Sequence, residues 1–238
     1  MQDVLYTKFG QEPPIEIRPL FNEIRELPDS PEEGLYWDGK ELKFHWYDEH
    51  HQIEREVYFN FRETLSDLQK KLGPPPKELL GRALGKGESL EVWDISGGTG
   101  RDALSFYHWG HKVKVFERHP IIAALLINAL RLEPRMIERF EVVYGSAHEL
   151  NHIETPEVIY YDPMYPEEIK KSRPRKEMAL FKVLTNGDSD QETVLDWALN
   201  SGAKRIILKR PIKASECSPK PTASFKGKTI RFDLWQRG

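Results

Sequence analysis

The chain has 238 residues, of which 39% are hydrophobic, and a formal net charge of −3. These values exclude global disorder and allow one large α/β domain, or one domain with a small extension. No apolar run approaches the roughly 20 residues that span a bilayer, and the N-terminus lacks a signal-peptide pattern, so we expect a cytoplasmic protein. The single cysteine, Cys217, excludes an internal disulfide framework and a zinc–thiolate cluster, and we expect no metal.

The charge is distributed unevenly along the chain. Residues 1–60 carry 6 basic and 14 acidic side chains, whereas residues 163–238 carry 16 basic and 9 acidic ones. A local basic face matters more for phosphate contact than the total charge does. The distribution therefore permits a nucleic-acid partner for the C-terminal part, although an unevenly charged, solvated surface would give the same counts.

The segment 1–73 predicts a small β-rich unit. Its prolines suggest an irregular start with one strand at residues 15–17, and Asp38-Gly39 between aromatic-rich runs predicts a hairpin. We expect a further strand at residues 57–61. Leucines at helical spacing then predict a helix over residues 64–72, which a run of three prolines ends.

From residue 77 to residue 238 the pattern becomes an alternation of strands and helices. This alternation predicts an α/β fold with a doubly wound, mainly parallel, Rossmann-like sheet. The predicted strands are 90–94, 113–117, 140–144, 158–161, 205–209 and 230–235, and the predicted helices are 103–109, 120–132 and 192–201.

A glycine-rich turn, residues 94–100, follows the first of these strands, and Glu117 ends the next one. Glycines such as Gly98 and Gly100 permit positive φ and a close approach of ligand to backbone. A carboxylate at a strand end can accept hydrogen bonds from ribose hydroxyls. After Gly98, Gly100 and the pair Arg101-Asp102, the third glycine of the strict dinucleotide fingerprint is replaced by Ala103, which argues against a nicotinamide oxidoreductase. The pattern predicts a nucleotide-like cofactor.

The second chemical motif is the segment Asp162-Pro163-Met164-Tyr165-Pro166, which follows an apolar strand. The amine of a nucleobase is a poor nucleophile because its lone pair is delocalised into the ring. Asp162 and a carbonyl held by Pro163 or Pro166 can accept hydrogen bonds from that amine and favour the transition state. Tyr165 can stack on an extruded base. The two motifs together predict methyl transfer to an exocyclic amine of a nucleobase.

Six segments together resemble the RsmJ family of class I S-adenosylmethionine (SAM) methyltransferases, which act on a guanine N2 in 16S ribosomal RNA. The similar segments are residues 94–102 (DISGGTGRD), 116–126 (FERHPIIAALL), 160–166 (YYDPMYP), 175–178 (RKEM), 208–211 (LKRP) and 226–234 (KGKTIRFDL). The resemblance covers about residues 90–238, and the acidic N-terminal 60 residues match poorly.

The resemblance implies SAM as cofactor and ribosomal RNA, naked or in the 30S particle, as partner; the oligomeric state stays open. It implies that Asp162, Pro163 and Tyr165 flank the target amine. The residues expected to bind the cofactor are Asp94, Gly98, Gly100, Arg101, Asp102, Glu117, Arg118, Ser146 and Asp162. The family often has paired serines where this chain has Ser146-Ala147, so only Ser146 is carried over.

Basic residues near the second motif are candidates for RNA phosphate contacts. They are Arg173, Arg175, Lys176, Lys209 and Arg210. The chemistry of Asp162 alone does not separate guanine N2 from adenine N6 or cytosine N4. A non-catalytic RNA-binding or ribosome-assembly module on the same fold is the alternative from another functional class.

Overall fold

The computed structural model describes residues 4–27, 33–49, 51–85, 89–150, 154–165, 176–185 and 189–237. Within these residues the strands form two sheets. The N-terminal sheet has the order β2-β1-β3-β4-β5, with β1 parallel to its two neighbours and the last three strands antiparallel. Its strands are β1 (Val4–Thr7), β2 (Glu23–Glu26), β3 (Gly34–Trp37), β4 (Leu42–Asp48) and β5 (Ile53–Val57).

The second sheet has the order β11-β12-β10-β9-β6-β7-β8 across the described residues. Its strands are β6 (Glu91–Asp94), β7 (Lys112–Glu117), β8 (Phe140–Tyr144), β9 (Val158–Tyr161), β10 (Arg205–Pro211), β11 (Ala223–Lys226) and β12 (Ile230–Gln236). The strands from β10 to β8 run parallel, and β12 is antiparallel to both β10 and β11. The predicted mainly parallel sheet is confirmed.

The helices of the described residues are α1 (Phe61–Lys71), α2 (Leu79–Leu84), α3 (Arg101–His108), α4 (Pro120–Arg131), α5 (Lys176–Leu184) and α6 (Gln191–Asn200). Helices pack on both faces of the second sheet. Alternate residues of β9 point to opposite faces, so Tyr160 packs in the cluster that contains α3, and Ile159 packs in the cluster that contains α6. The strand order reverses between β6 and β9, which is where ligands of such sheets bind.

Helix α4 explains how the two sheets are joined. It begins with Pro120 at its first turn, where the missing N–H costs little, and most of its residues are buried. A helix that is apolar nearly all round must be covered on several sides. Helix α4 contacts β4 of the N-terminal sheet as well as β7 and β8, so one apolar core runs through both parts. The boundary predicted between residues 73 and 77 stays a prediction.

Two predicted strands in the N-terminal part are wrong. Residues 15–17 form a turn, because the amides of Ile17 and Arg18 both donate to the Pro14 carbonyl ahead of the 3-10 turn Arg18–Leu20. The strand predicted for 57–61 ends at Val57. Asn60 caps α1 by accepting a hydrogen bond from the Glu63 amide at 3.1 Å, so the helix begins three residues before the predicted start.

Candidate active site

The glycine turn lies between the ends of β6 and β7. The Gly97 amide donates to the Phe116 carbonyl at 2.9 Å, and a Cβ at Gly97 would come within 2.9 Å of Glu117 Cβ. Gly98 and Gly100 have φ values of +53° and +72°, which favour glycine. A Cβ at Gly98 would meet its first neighbour only at 3.6 Å. The turn is therefore packed tightly against β7 but leaves its Gly98 side open for a ligand.

Glu117 fastens this turn to the end of β7. Its Oε2 accepts a hydrogen bond from the Gly98 amide at 2.9 Å, and its Oε1 accepts one from the His119 amide at 2.7 Å. The residue is 9% exposed. A nearly buried carboxylate thus borders the open side of the glycine turn, where the sequence predicts a cofactor.

Ser96 connects the two sequence motifs. Its hydroxyl donates to Asp94 Oδ1 at 3.0 Å and accepts from the Asp162 amide at 2.8 Å. The Ser96 amide also donates to Asp94 Oδ1, at 3.0 Å. Sequence reasoning did not single out Ser96, although a serine two residues after an aspartate at a strand end is a common turn pattern. The contact fixes the start of the Asp-Pro segment relative to the glycine turn.

Asp94 is an unusual acid. It is 2% exposed, and burial, reinforced by the negative charge of Asp102, raises its pKa to about 8 despite the hydrogen bonds from Ser96. The carboxyl group is therefore mostly protonated at neutral pH.

This protonation predicts how the stability of the cofactor-free protein depends on pH. The folded state keeps a proton on Asp94 that the unfolded chain loses near pH 4, so this group makes the free energy of unfolding fall as the pH rises from about 4 to about 8. Asp94→Asn should remove this contribution, so the variant should gain stability relative to the wild type across that range. Urea unfolding at several pH values measures the difference. A constant difference between the two proteins from pH 5 to pH 8 would contradict a protonated Asp94.

Four side chains form a charged cluster beside this junction. Lys209 Nζ lies 2.7 Å from Asp162 Oδ2 and 2.9 Å from Asp102 Oδ2, and the Tyr160 hydroxyl donates to Asp102 Oδ2 at 2.5 Å. Lys209 was expected to face RNA phosphates. Its ammonium instead lies between two carboxylates and is about a quarter exposed. Sequence reasoning missed Tyr160, which looks like an ordinary apolar strand residue.

Opposing effects set the protonation of this cluster. Burial raises the pKa of Tyr160 well above its usual value, and the Asp102 charge adds to the rise. Burial alone would lower the pKa of Lys209, but Asp102 and Asp162 outweigh it and raise that pKa. Tyr160 therefore stays a neutral hydroxyl and Lys209 a cation across the physiological range.

The rest of the Asp-Pro segment is held by its surroundings. Pro163 is buried, and the Met164 carbonyl accepts a hydrogen bond from Gln191 Nε2 at 3.1 Å. Burial raises the pKa of Tyr165 to about 12, and the nearby Arg210 guanidinium opposes that rise. Tyr165 thus stays neutral three residues after Asp162 in the chain.

Arg210, which was expected to contact phosphate, has protein partners. One of its guanidinium nitrogens, Nη1, lies 2.7 Å from Cys217 Sγ and 3.6 Å from Asp233 Oδ2, and its side chain is 11% exposed. The RNA contact of Arg210 stays a prediction. Arg173 and Arg175 lie outside the described residues, and Lys176 begins α5, but its side chain is not described.

Three other expected cofactor residues lie around the same end of the sheet and have protein partners. Arg101 Nη2 donates to Asp67 on α1 at 3.0 Å, and Arg118 Nη1 donates to Asp190 ahead of α6 at 2.7 Å. Ser146 Oγ lies 2.7 Å from His148 Nδ1. The Arg101 guanidinium thus lies toward α1.

Metal-binding clusters and membrane-spanning helices are both absent from the described part of the chain. It contains no group of three or more His, Cys, Asp or Glu side chains arranged to hold a metal ion. Among the same residues, no helix is both long enough and apolar enough to cross a membrane.

The fold and the site together define a class of protein. A glycine turn open to a ligand, a carboxylate at the end of the next strand and an Asp-Pro segment meet at the switch point of the sheet. This combination is that of a class I SAM-dependent methyltransferase. The SAM_MT family model, which describes SAM-dependent methyltransferases, matches residues 23–237, and the chain belongs to this family.

Relatives and a solved structure agree with this membership. The chain is 37% identical over 172 residues to the ribosomal RNA small subunit methyltransferase J of Dechloromonas aromatica, covering 67% of this chain and 70% of that protein. It is 34% identical over 191 residues to the protein of the same name from Proteus mirabilis, covering 75% and 77%. A SAM-dependent methyltransferase from Neisseria gonorrhoeae superposes with a TM-score of 0.72 at 25% identity, covering 98% of this chain and 95% of that one.

Proposed function

We propose that this protein transfers the methyl group of SAM to the N2 amine of a guanine in 16S ribosomal RNA. The observation that carries the proposal is the junction at Ser96, which fixes the Asp162 segment against the glycine turn. A methyl donor held at the turn would lie beside an amine held at Asp162. The relatives named ribosomal RNA small subunit methyltransferase J support ribosomal RNA as the substrate.

The cofactor side of the site would be formed by the glycine turn and the ends of β6, β7 and β8. When bound, SAM supplies an electrophilic methyl group on a sulfonium centre. Glu117 would accept hydrogen bonds from the ribose hydroxyls, and Gly98 would let the cofactor approach the backbone. The other residues that we propose to bind the cofactor are Asp94, Gly100, Arg101, Asp102, Arg118 and Ser146.

On the substrate side, Asp162 would accept a hydrogen bond from the target amine. This bond strengthens as positive charge develops on the nitrogen, so Asp162 stabilises the transition state more than the ground state. Tyr165 would stack on the guanine and hold its ring against Pro163. The methylated nitrogen then loses a proton to solvent without a strong general base.

Two other functions make different predictions. Asp162 would accept an adenine N6 or cytosine N4 amine equally well, and the named relatives favour the small-subunit RNA methyltransferase instead. A non-catalytic module needs no cofactor site, whereas this chain belongs to a methyltransferase family and retains the glycine turn, Glu117 and Asp162. We place the protein in the cytoplasm, where ribosomal subunits are assembled.

The test is to map modified nucleosides by mass spectrometry in 16S ribosomal RNA from cells that lack this protein. One N2-methylguanosine should be absent and should return when the gene is restored. Purified protein should then methylate that RNA with SAM, and parallel reactions with naked RNA and with 30S particles decide which is the substrate. An unchanged set of 16S modifications, or a lost methyl group on adenine or cytosine, would refute the proposal.

A further inference from the structure

We propose that Lys209 is a positioning residue for the methyl transfer: it holds Asp162 as an ionised, oriented acceptor, and Asp102 with Tyr160 holds Lys209. This inference rests on the proposed function, since it assigns a role around the residue that receives the amine. It replaces the RNA phosphate contact that the sequence suggested for Lys209.

The sheet register brings these residues together. Leu208 of β10 is paired with Tyr161 of β9, so the next residues, Lys209 and Asp162, lie side by side where β9 ends. Lys209 Nζ reaches Asp162 Oδ2 at 2.7 Å. The Asp162 amide is fixed separately by Ser96 Oγ at 2.8 Å. Both the backbone and the carboxylate of Asp162 are thus held from neighbouring elements.

A second pair of contacts holds Lys209 itself. Its Nζ lies 2.9 Å from Asp102 Oδ2, on the first turn of α3, and the same oxygen accepts the Tyr160 hydroxyl from β9. A lysine side chain has several rotatable bonds and loses considerable entropy when it is fixed in one position. Two carboxylates on different elements restrict it far more than one would.

The charges at this point explain why a cation is needed. Among the described residues, the titratable groups that meet here are Asp94 from β6, Asp102 from α3, Tyr160 from β9, Asp162 and Tyr165 after β9, and Lys209 from β10. Asp94 and the two tyrosines are neutral, so two carboxylates and one ammonium remain in this described set. Without the ammonium the two negative charges repel each other, and one of them takes up a proton more readily.

A protonated or rotated Asp162 would be a poorer acceptor for the amine. An ionised carboxylate has about four acceptor positions, so Lys209 can bind Oδ2 while the group still accepts a hydrogen bond from a base. The ammonium therefore sets the charge and direction of Asp162 without contacting the substrate. This mode of action predicts an effect on turnover rather than on RNA affinity.

The experiment compares Lys209→Met, Lys209→Arg and Lys204→Met. Lys204 is a matched control, because it precedes β10, is 74% exposed and pairs with Glu157 at 3.5 Å.

Lys209→Met should lower kcat about 100-fold, since small displacements of a reacting group have effects of that order. The KM for RNA should stay within about twofold. The acid limb of the pH–rate profile should move to higher pH, Lys209→Arg should restore part of kcat, and Lys204→Met should behave as wild type.

A second measurement needs neither cofactor nor RNA. In Lys209→Met the Asp102 and Asp162 carboxylates lose the ammonium that lies between them, so the Tm of the variant relative to wild type should fall as the pH rises from 5 to 7. Adding Asp102→Asn should remove that fall, because one of the two charges is gone. A Lys209→Met protein with unchanged kcat, or with a raised KM for RNA and an unchanged pH profile, would overturn the positioning role. An inactive wild-type protein would instead refute the proposed function.

Discussion

Asp162→Ala is expected to lower methyl transfer by a factor of about 1000 while the protein stays folded. Loss of one hydrogen-bonding group that acts on the transition state commonly costs 100- to 1000-fold in turnover. Asp162 is one-third exposed, and its carboxylate pairs with Lys209, so the substitution leaves no cavity in the core. Single-turnover transfer from labelled SAM to 16S RNA measures the effect.

Asp162→Asn separates the hydrogen bond that Asp162 accepts from the negative charge that it carries. The amide oxygen of asparagine can still accept a hydrogen bond from the amine, but the group carries no charge and cannot pair with Lys209 as an ion. We expect its activity to lie between those of the alanine variant and the wild type. Activity of Asp162→Ala within about tenfold of wild type would remove Asp162 from the mechanism.

Glu117→Ala is the contrasting variant, because Glu117 lies at the cofactor end of the site. Its loss removes charge-assisted hydrogen bonds, which contribute about 1.5–3 kcal/mol each, and leaves the Gly98 amide without its carboxylate. The Kd for SAM should rise at least about tenfold, and kcat should recover at saturating SAM. Calorimetry gives the Kd. Equal losses of kcat in both variants would mean that Glu117 does more than bind the cofactor.

Much of the second sheet could be predicted because its elements have strong local signals. The strand at 140–144 and the strand at 158–161 match the structure residue for residue. Proline at the first turn of α4 marks the start of that helix. The alternation of buried strands and amphipathic helices then leaves few possible topologies.

The N-terminal part was harder because its structure depends on distant contacts. Strand β1 pairs in parallel with β2 and β3, which lie far along the chain, so no local turn marks it. The same holds for helix α2 of the second part, which has only six residues and packs against β10, β11 and β12. Such short elements are stabilised by tertiary packing, which a single sequence does not reveal.

In the candidate site, too, features with a local signal could be predicted, whereas long-range contacts could not. The positions of the glycine turn, Glu117 and Asp162 at strand ends could be predicted because each follows or ends a strongly apolar run. The partners of Lys209 could not, because they lie 107 and 47 residues away and meet it only through the sheet register. Residue type alone suggested a phosphate contact for a lysine in a basic region, and only the folded geometry shows two carboxylates around it.

Phe61→Ala is expected to destabilise the whole chain by about 3–5 kcal/mol, in a single unfolding transition. Phe61 is 1% exposed, and its ring packs edge-to-face on Phe140 of β8 with 5.4 Å between centroids. It also lies 3.3 Å from the point where a Cβ on Gly100 would stand. The first residue of α1 therefore supports both the second sheet and the glycine turn, and a void there weakens the contact between the two parts of the chain.

Phe9→Ala is the matched control, because Phe9 is 81% exposed and should change stability by less than about 0.5 kcal/mol. Tryptophan fluorescence and circular dichroism follow urea unfolding in both parts, since Trp37 and Trp46 lie in the N-terminal sheet and Trp93 lies in the second. A shared core predicts coincident transitions that shift together in Phe61→Ala. Two separate transitions, with only one of them shifted, would instead mean that residues 1–73 fold as an independent domain.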